Sequence, residues 1–550
     1  MFKIVLGVPL TVLVLSVVLP WFFVMNPPSA GIARHKMPMA NSGLIFVSSA
    51  AKVHNVCQKV SRLVQKVLYI KINSSSETAL SLISRQIAQV YSKATHYCNN
   101  LDVRLMLKPN EPMKNLKTSQ PIDLILYDSE LTKDIDKLKH TVVTLSSDYK
   151  LHYLGTSLES IGEDVANDQQ PVKQYEYVAL GGTFDRLHNG HKILLSQAVL
   201  RSTKHLTVGV TDVNMIQSKK LWELIEPVEK RIAAVLEFVI DINPDLEYCV
   251  LPIQDIYGPT KDDPKYQMLV VSEETIKGGV KVNEKRVENG IPKLDTYVIG
   301  LATDAQQSAE EETKVSSSNQ RMRLLGTILR PPVPNPKIPE WPYVIGLAGG
   351  IASGKSNIAE KLNAKGAAIV NCDFIAHDLY KPGLPLNQTI AETFGTHVIA
   401  ENGDVDRKKL GSIVFGDKEQ LEKLNQILWP AILEEAQRRI RALGEQGFRV
   451  VVMEAAVVVR AHWYNYCHQL WSVIIPPNEA IKRLQKRNNL TEEEARHRLE
   501  AQPTNLEQVA HANVVFSPFW SYEYTQQQVD KAWDNLQQYL NERKGDTAKL

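Results

Sequence analysis

The densest chemistry in the chain lies in eight residues, Gly349-Gly350-Ile351-Ala352-Ser353-Gly354-Lys355-Ser356, a G-x-x-x-x-G-K-S loop. In such a loop the glycines let backbone N–H groups converge on phosphate oxygens. Lys355 neutralises the outer phosphates, and the Ser356 hydroxyl suits Mg²⁺. The apolar run Tyr343 to Leu347 before it and the helix-like stretch from Asn357 supply strand and helix flanks. A chance match at ordinary residue frequencies is roughly 0.02, so the plain alternative, a glycine turn before a helix, carries little weight. The loop predicts binding of a nucleoside triphosphate.

A second constellation is Gly181-Gly182-Thr183-Phe184-Asp185-Arg186-Leu187-His188-Asn189-Gly190-His191. Tyr177 to Leu180 reads as a buried parallel strand and Lys192 to Leu200 as an apolar helix. His188 and His191 then sit at a strand-to-helix junction, where helix N–H groups favour an anion. A lone histidine there is usually a cap, but H-x-G-H after a glycine-rich approach points to catalysis.

A third candidate is Asp373, at the end of the short strand Ala367 to Val370. The carboxyl edge of a parallel sheet is where ligands bind, so Asp373 is expected across the crevice from Lys355 as a proton acceptor. The plain alternative is an N-cap for a helix Phe374 to Tyr380. Arg483 and Arg487, four apart on one helical face, fit a phosphate-clamping lid or a solvated basic face.

These sites need more than one core, since 550 residues suggest three or four domains. Formal net charge is +2 and no dense basic tract occurs, which leaves no electrostatic footprint for nucleic acid. The 5 scattered cysteines have neither metal-ligand spacing nor a disulfide framework and point to a reducing, intracellular compartment. Ile4 to Met25 is uncharged and long enough to span a bilayer, so residues 1–25 are read as a membrane anchor, with a cleaved secretory signal as rival. Residues 26–42 read as a linker and 43–160 as a mixed α/β region without a chemical motif. A structural role, or binding of an unidentified protein, is expected there. Six prolines in Pro331 to Pro342 mark a semi-rigid spacer, 331–342. It separates a domain at 171–330 from one at 343–545.

The middle domain resembles the H-x-G-H nucleotidyltransferases, and within them the phosphopantetheine adenylyltransferases. Ser218-Lys219-Lys220 after the strand His205 to Asp212, and the distal Lys314 to Arg323 segment with Ser316, Ser317 and Ser318, extend the likeness. The resemblance implies ATP held by Gly182, Thr183, Phe184, His188, Lys277 and Ser316 to Ser318. It also implies transition-state stabilisation by His191 and contact of Lys219 with 4′-phosphopantetheine or the migrating phosphate. Lys277 stands where many members carry arginine, and lysine lacks the bidentate fork. Without the resemblance, Lys219-Lys220 reads as a solvated pair and Ser316 to Ser318 as a polar turn.

The last domain resembles the dephospho-CoA kinases in Leu347 to Ser356, Asp373 with Ile375-Ala376, Phe394-Gly395, Asp404 to Arg407, Trp429-Pro430 and Arg487. That likeness makes Asp373 the base for the ribose 3′-hydroxyl of dephospho-CoA, and Arg487 a phosphate contact. Arg460 stands where an acid is expected and Asn505 where bacterial kinases often carry arginine. Together the two likenesses match the animal-type bifunctional coenzyme A synthases, which implies two ATP-dependent steps, Mg²⁺ at both sites, and attachment to the mitochondrial outer membrane, the alternative being a cytoplasmic chain. The fold expected is two doubly wound parallel α/β nucleotide-binding domains after an α/β region and a transmembrane helix. The competing readings are a cytidylyltransferase fused to another small-molecule P-loop kinase, and a membrane-tethered nucleotide-binding scaffold.

Overall fold

Among the described residues, fifteen strands are sorted into three five-stranded sheets, each wholly parallel. The computed structural model describes residues 39–72, 79–98, 100–107, 116–155, 172–300, 302–304, 306–414 and 417–547. The run 4–25 read as an anchor lies outside them. Among the described residues no helix is long and apolar enough to cross a membrane. From Ala40 onward the chain packs as one unit.

The first sheet contains β1 Ala40–Val47, β2 Val64–Ile72, β3 Asp102–Leu105, β4 Ile122–Tyr127 and β5 Leu145–Tyr153, in the order β3-β2-β1-β4-β5. Sequence reading expected an α/β region here and only two doubly wound sheets, whereas this is a third. It also expected a linker to residue 42, yet β1 begins at Ala40 and pairs with both β2 and β4. The cause is composition: Ala40-Asn41-Ser42-Gly43 reads as loop, but its backbone completes the ladder that buries Leu44 to Val47.

The middle sheet, β6 Tyr175–Gly182, β7 Ser202–Thr211, β8 Glu247–Ile253, β9 Met268–Ser272 and β10 Asp295–Ile299, runs β10-β9-β6-β7-β8, the same order seen from the other edge. The third sheet, β11 Tyr343–Gly349, β12 Ala368–Asn371, β13 Val450–Glu454, β14 Gln469–Val473 and β15 Val514–Phe516, runs β12-β13-β11-β14-β15. Every residue of β11 and β13 is buried, as strands covered by helices on both faces require.

The three sheets are not beads on a string. The helix Leu80–Tyr97 of the first domain and the helix Asn189–Arg201 that follows H-x-G-H share one apolar cluster, Ile87, Val90 and Ala94 packing with Leu194, Leu195 and Ala198. The middle and last domains meet through Leu221, Leu224, Leu325, Ile474, Val509 and Val515.

The expected 331–342 spacer is also more tightly held than a spacer. Already at Gly326 and Leu329 the chain runs beside β15, their N–H groups donating to the carbonyls of Val515 at 2.9 Å and Asn513 at 2.7 Å. Arg330 donates to the carbonyls of Val509 and Ala512, Asn335 to that of Asn465, and Glu340 pairs with Arg543. Proline blocks ladder formation but not side-chain and edge contacts, so the stretch becomes a strap on the last domain.

Gly326 has φ +74, and a Cβ there would lie 2.2 Å from the carbonyl oxygen of Gln528. Gly326→Ala is therefore expected to cost about 1–3 kcal/mol, read as a lowered Tm and as protease cleavage appearing within 326–342. An unchanged Tm and cleavage pattern would show that the strap is not held this way.

Candidate functional site

Two sites form at the carboxyl edges of the second and third sheets. The first is a cleft of 570 Å³ lined by Gly182, Thr183, His188, His191, Lys219 and Ser316 to Ser318, together with Arg321. It opens where β6 and β9 part, the point at which strand order reverses and ligands gather in such sheets.

His188 is the N-cap of the helix Asn189–Arg201, its Nδ1 accepting from the His191 N–H at 3.3 Å. The plain capping role and the functional one thus coexist. The imidazoles stack at 3.8 Å, and Phe184, fully buried, backs His191 at 5.2 Å. Desolvation holds both rings neutral. His191 falls to about 4, with Lys219 and Arg321 adding to the effect of burial and Asp185 opposing it. His188 is pushed well down by burial, then by His191, Lys192 and Arg321. The Nδ1 of His191 is buried without a partner.

The distal segment reaches the same cleft because Ser316 caps the helix Ser317–Leu324, accepting from Asn319 N–H at 3.2 Å. Its Arg321 donates to Asp185 at 2.8 Å and to the Lys220 carbonyl at 2.9 Å. Lys219 lines the cleft mouth. Although much of its chain faces solvent, desolvation of the ammonium and then Arg321 and Arg231 lower its pKa. Lys277 is placed differently from the expectation: it is exposed on the helix Ile276–Glu288, while Thr275, Gly278 and Gly279 line the cleft. Sequence reading missed Arg321 and Asp185 as the pair that joins the two segments. Asp185 stands inside the motif beside Arg186 and is fully buried.

The second site surrounds the loop 349–356. Gly354 has φ +89, and the helix Lys355–Ala364 starts there, so loop amides face one point. Lys355 is buried, with Nζ 3.7 Å from Asp373 Oδ2. Asp373 is exposed in the first turn of the helix Cys372–Leu379. It is not the N-cap: Asn371 is, accepting from the N–H groups of Asp373 and Phe374, which leaves the Asp373 carboxylate free of the capping role.

Glu454, at the end of β13, is 2% exposed; Oε1 accepts from the Ser356 hydroxyl at 2.8 Å and Oε2 from Asn371 at 2.9 Å. Sequence reading passed over it, although Val450 to Met453 ending in an acid carries the strand-end signal used for Asp373. Ser356 and Glu454 are the oxygen donors fit for a divalent cation beside the loop. Ile351 N–H is taken by Gln502 Oε1 at 2.6 Å, and the Ser353 hydroxyl is buried without a partner.

Of the two arginines expected on a lid face, Arg483 stands by the loop, holding the Pro518 carbonyl at 2.8 Å, with Nη1 3.8 Å from a Cβ built on Gly354. Arg487 is exposed and bonded to Asn488. Arg460 is exposed beside the Trp429 ring, and Asn505 donates to Glu223 of the middle domain and to the Ile475 carbonyl, so it serves a domain contact.

A parallel sheet with an H-x-G-H cleft followed by one with a phosphate-binding loop defines a transferase with a nucleotidyltransferase-like head and a kinase head. Residues 343–518 match the family model described as dephospho-CoA kinase, and 179–319 that described as cytidylyltransferase-like. A dephospho-CoA kinase of Carboxydothermus hydrogenoformans is 39% identical over 34% of this chain and 90% of its own. One from Syntrophus aciditrophicus is 36% identical over 35% and 82%. The solved dephospho-CoA kinase of Campylobacter jejuni is 24% identical over 35% of this chain and 96% of its own, with a TM-score of 0.29. The chain belongs to the dephospho-CoA kinase family through its last domain. Both matches on one chain are the arrangement expected of the bifunctional coenzyme A synthases.

The buried histidines set a pH dependence. His191 titrates at about 4 when folded and near 6.5 when unfolded, so the unfolded chain takes up its proton first as pH falls. The stability is complete above about 6.5 and about 3 kcal/mol of it is lost by pH 4. His191→Asn is expected to flatten unfolding free energy against pH by about that amount, leaving the share of His188 and of His468, which is also depressed to about 4. Equal slopes in variant and parent would contradict this.

Proposed function

We propose that the chain carries out the last two steps of coenzyme A synthesis. In the cleft, a phosphate oxygen of 4′-phosphopantetheine attacks the α-phosphorus of ATP; the new P–O bond forms as the bond to pyrophosphate breaks, giving dephospho-CoA. Neutral His191 offers an N–H to the charge that grows on the transferring group, and His188 and Ser316 to Ser318 orient the triphosphate. Lys219, whose lowered pKa reflects its desolvated ammonium, meets the phosphate of the acceptor.

At the loop 349–356 the 3′-hydroxyl of dephospho-CoA attacks the γ-phosphorus of a second ATP, Asp373 takes the hydroxyl proton, and ADP leaves. Lys355 balances the γ-phosphate. Ser356 and Glu454 would hold Mg²⁺, which supplies charge neutralisation on the phosphates.

The observation that carries this reading is the kinase-family match of residues 343–518 on a chain whose preceding domain holds the stacked, neutral histidine pair in a cleft. The cytidylyltransferase-like description of residues 179–319 favours a second reading, in which the first head uses CTP. The uncharged run 4–25 supports attachment to an intracellular membrane, the mitochondrial outer one by family resemblance.

Three experiments test these proposals. With 4′-phosphopantetheine and equal ATP and CTP, mass spectrometry should find the adenylyl product; a cytidylyl product would transfer the assignment to the second reading. His191→Ala should slow dephospho-CoA formation by roughly 10²–10³ and leave phosphorylation of supplied dephospho-CoA intact, whereas Lys355→Met or Asp373→Asn should do the reverse. Loss of both half-reactions in any one of these folded variants would sink the two-site reading. The full-length chain should resist carbonate extraction from membranes, and a chain beginning at Met39 should not pellet with them; equal behaviour would remove the anchor.

A further inference from the structure

The helix that carries His191 has no solvent face. Its ten residues from Lys192 to Arg201 are all buried, and a helix buried all round belongs to a core rather than a surface. One side lies on the middle sheet; the other is covered by the first domain, through the apolar cluster shared with Leu80–Tyr97. Polar contacts add register. Gln197 and Ser84 exchange two hydrogen bonds of 2.8 Å, and Asn189, between the two motif histidines, donates to Thr95 at 2.9 Å.

The residue after His191 is Lys192, 3% exposed. Its ammonium lies 2.5 Å from Asp102 Oδ1 and donates to the Val103 carbonyl at 3.0 Å, both in β3 of the first domain. Asp102 is braced in turn by Arg104 at 2.7 Å. A buried ammonium without its carboxylate is strongly disfavoured, so this pair fixes where the first turn of the helix begins. At the strand-order reversal of the first domain, between β1 and β4, a lysine occupies the gap. There Lys52 lies between Asp128 at 3.2 Å and Glu130 at 2.6 Å and bonds Ser48 at 2.7 Å.

We infer that the first domain is a built-in support for the nucleotidyltransferase head, and that Asp102, acting through Lys192, is the positioning residue that holds the His191 helix in its productive place. The inference rests on the cleft being the site of nucleotidyl transfer. The charges facing His188 are His191 and Lys192 from its own helix and Arg321 from the helix Ser317–Leu324, while Asp185, Lys219 and Arg321 face His191. Lys192 is therefore also part of what keeps His188 neutral, beyond its mechanical role.

The test uses the full chain. Asp102→Asn is expected to lower kcat for dephospho-CoA formation at least tenfold with KM for ATP changed less than threefold, while phosphorylation of supplied dephospho-CoA stays within twofold of the parent. Lys192→Met, which removes a positive charge, should raise the His188 titration midpoint, followed by NMR of ¹³C-labelled histidine, and move the acid limb of the pH profile upward. Lys192→Arg should restore both toward the parent. Parental kcat in both Asp102→Asn and Lys192→Met, or equal loss in the two half-reactions, would overturn the inference. The histidine titration needs no turnover. A parent chain that forms no dephospho-CoA would thus sink the functional reading alone, and an unmoved His188 midpoint in Lys192→Met would sink this one.

Discussion

The carboxylate of Asp185 is the point on which the middle domain turns. It is fully buried, accepting from Arg321 on one oxygen and from Arg186 and the Glu226 N–H on the other, while its carbonyl accepts from Ser317. One side chain thereby joins three stretches far apart in sequence: the H-x-G-H turn, the loop that carries Lys219, and the distal serine helix. Removing either member of a buried pair costs about 3–5 kcal/mol because the other charge is stranded. The walls of the cleft share that ion pair.

The same loop faces the last domain. Leu221 and Leu224 enter the apolar contact with Val509 and Val515, and Glu223 accepts from Asn505. Three residues before Asn505, Gln502 holds the backbone of the phosphate loop. The arrangement places an element of each site within one short run of contacts, and it accounts for an asparagine where the kinase likeness led one to expect arginine.

Local pattern marks candidate phosphate-site residues and not their context. Strand-loop-helix punctuation puts His191, Lys355 and Asp373 at sheet edges, where the structure also has them, because glycines and helix starts leave a mark in the sequence. Glu454 shares the strand-end mark of Asp373, but Arg321 and Asp185 carry none: each is one charged residue whose meaning comes from what the fold brings opposite it. The first sheet was half legible. Val67 to Ile72 and the helix to Tyr97 stand out, but Ala40 to Ser42 fall in the stretch read as linker and the polar edge strand β5 has no apolar pattern, since edge and strand-start positions need backbone pairing more than apolar side chains. Composition makes the proline stretch a spacer, because proline content reports stiffness but not what the stiff segment lies against.

The strap from Gly326 to Pro342 governs logistics as well as architecture. A flexible tether lets two heads search for each other, so the local concentration of one head's product at the next depends on tether length. Here the connection is fastened beside β15 and again at Glu340. The separation of the two sites is then a dimension fixed by contacts rather than by the length of the connecting segment.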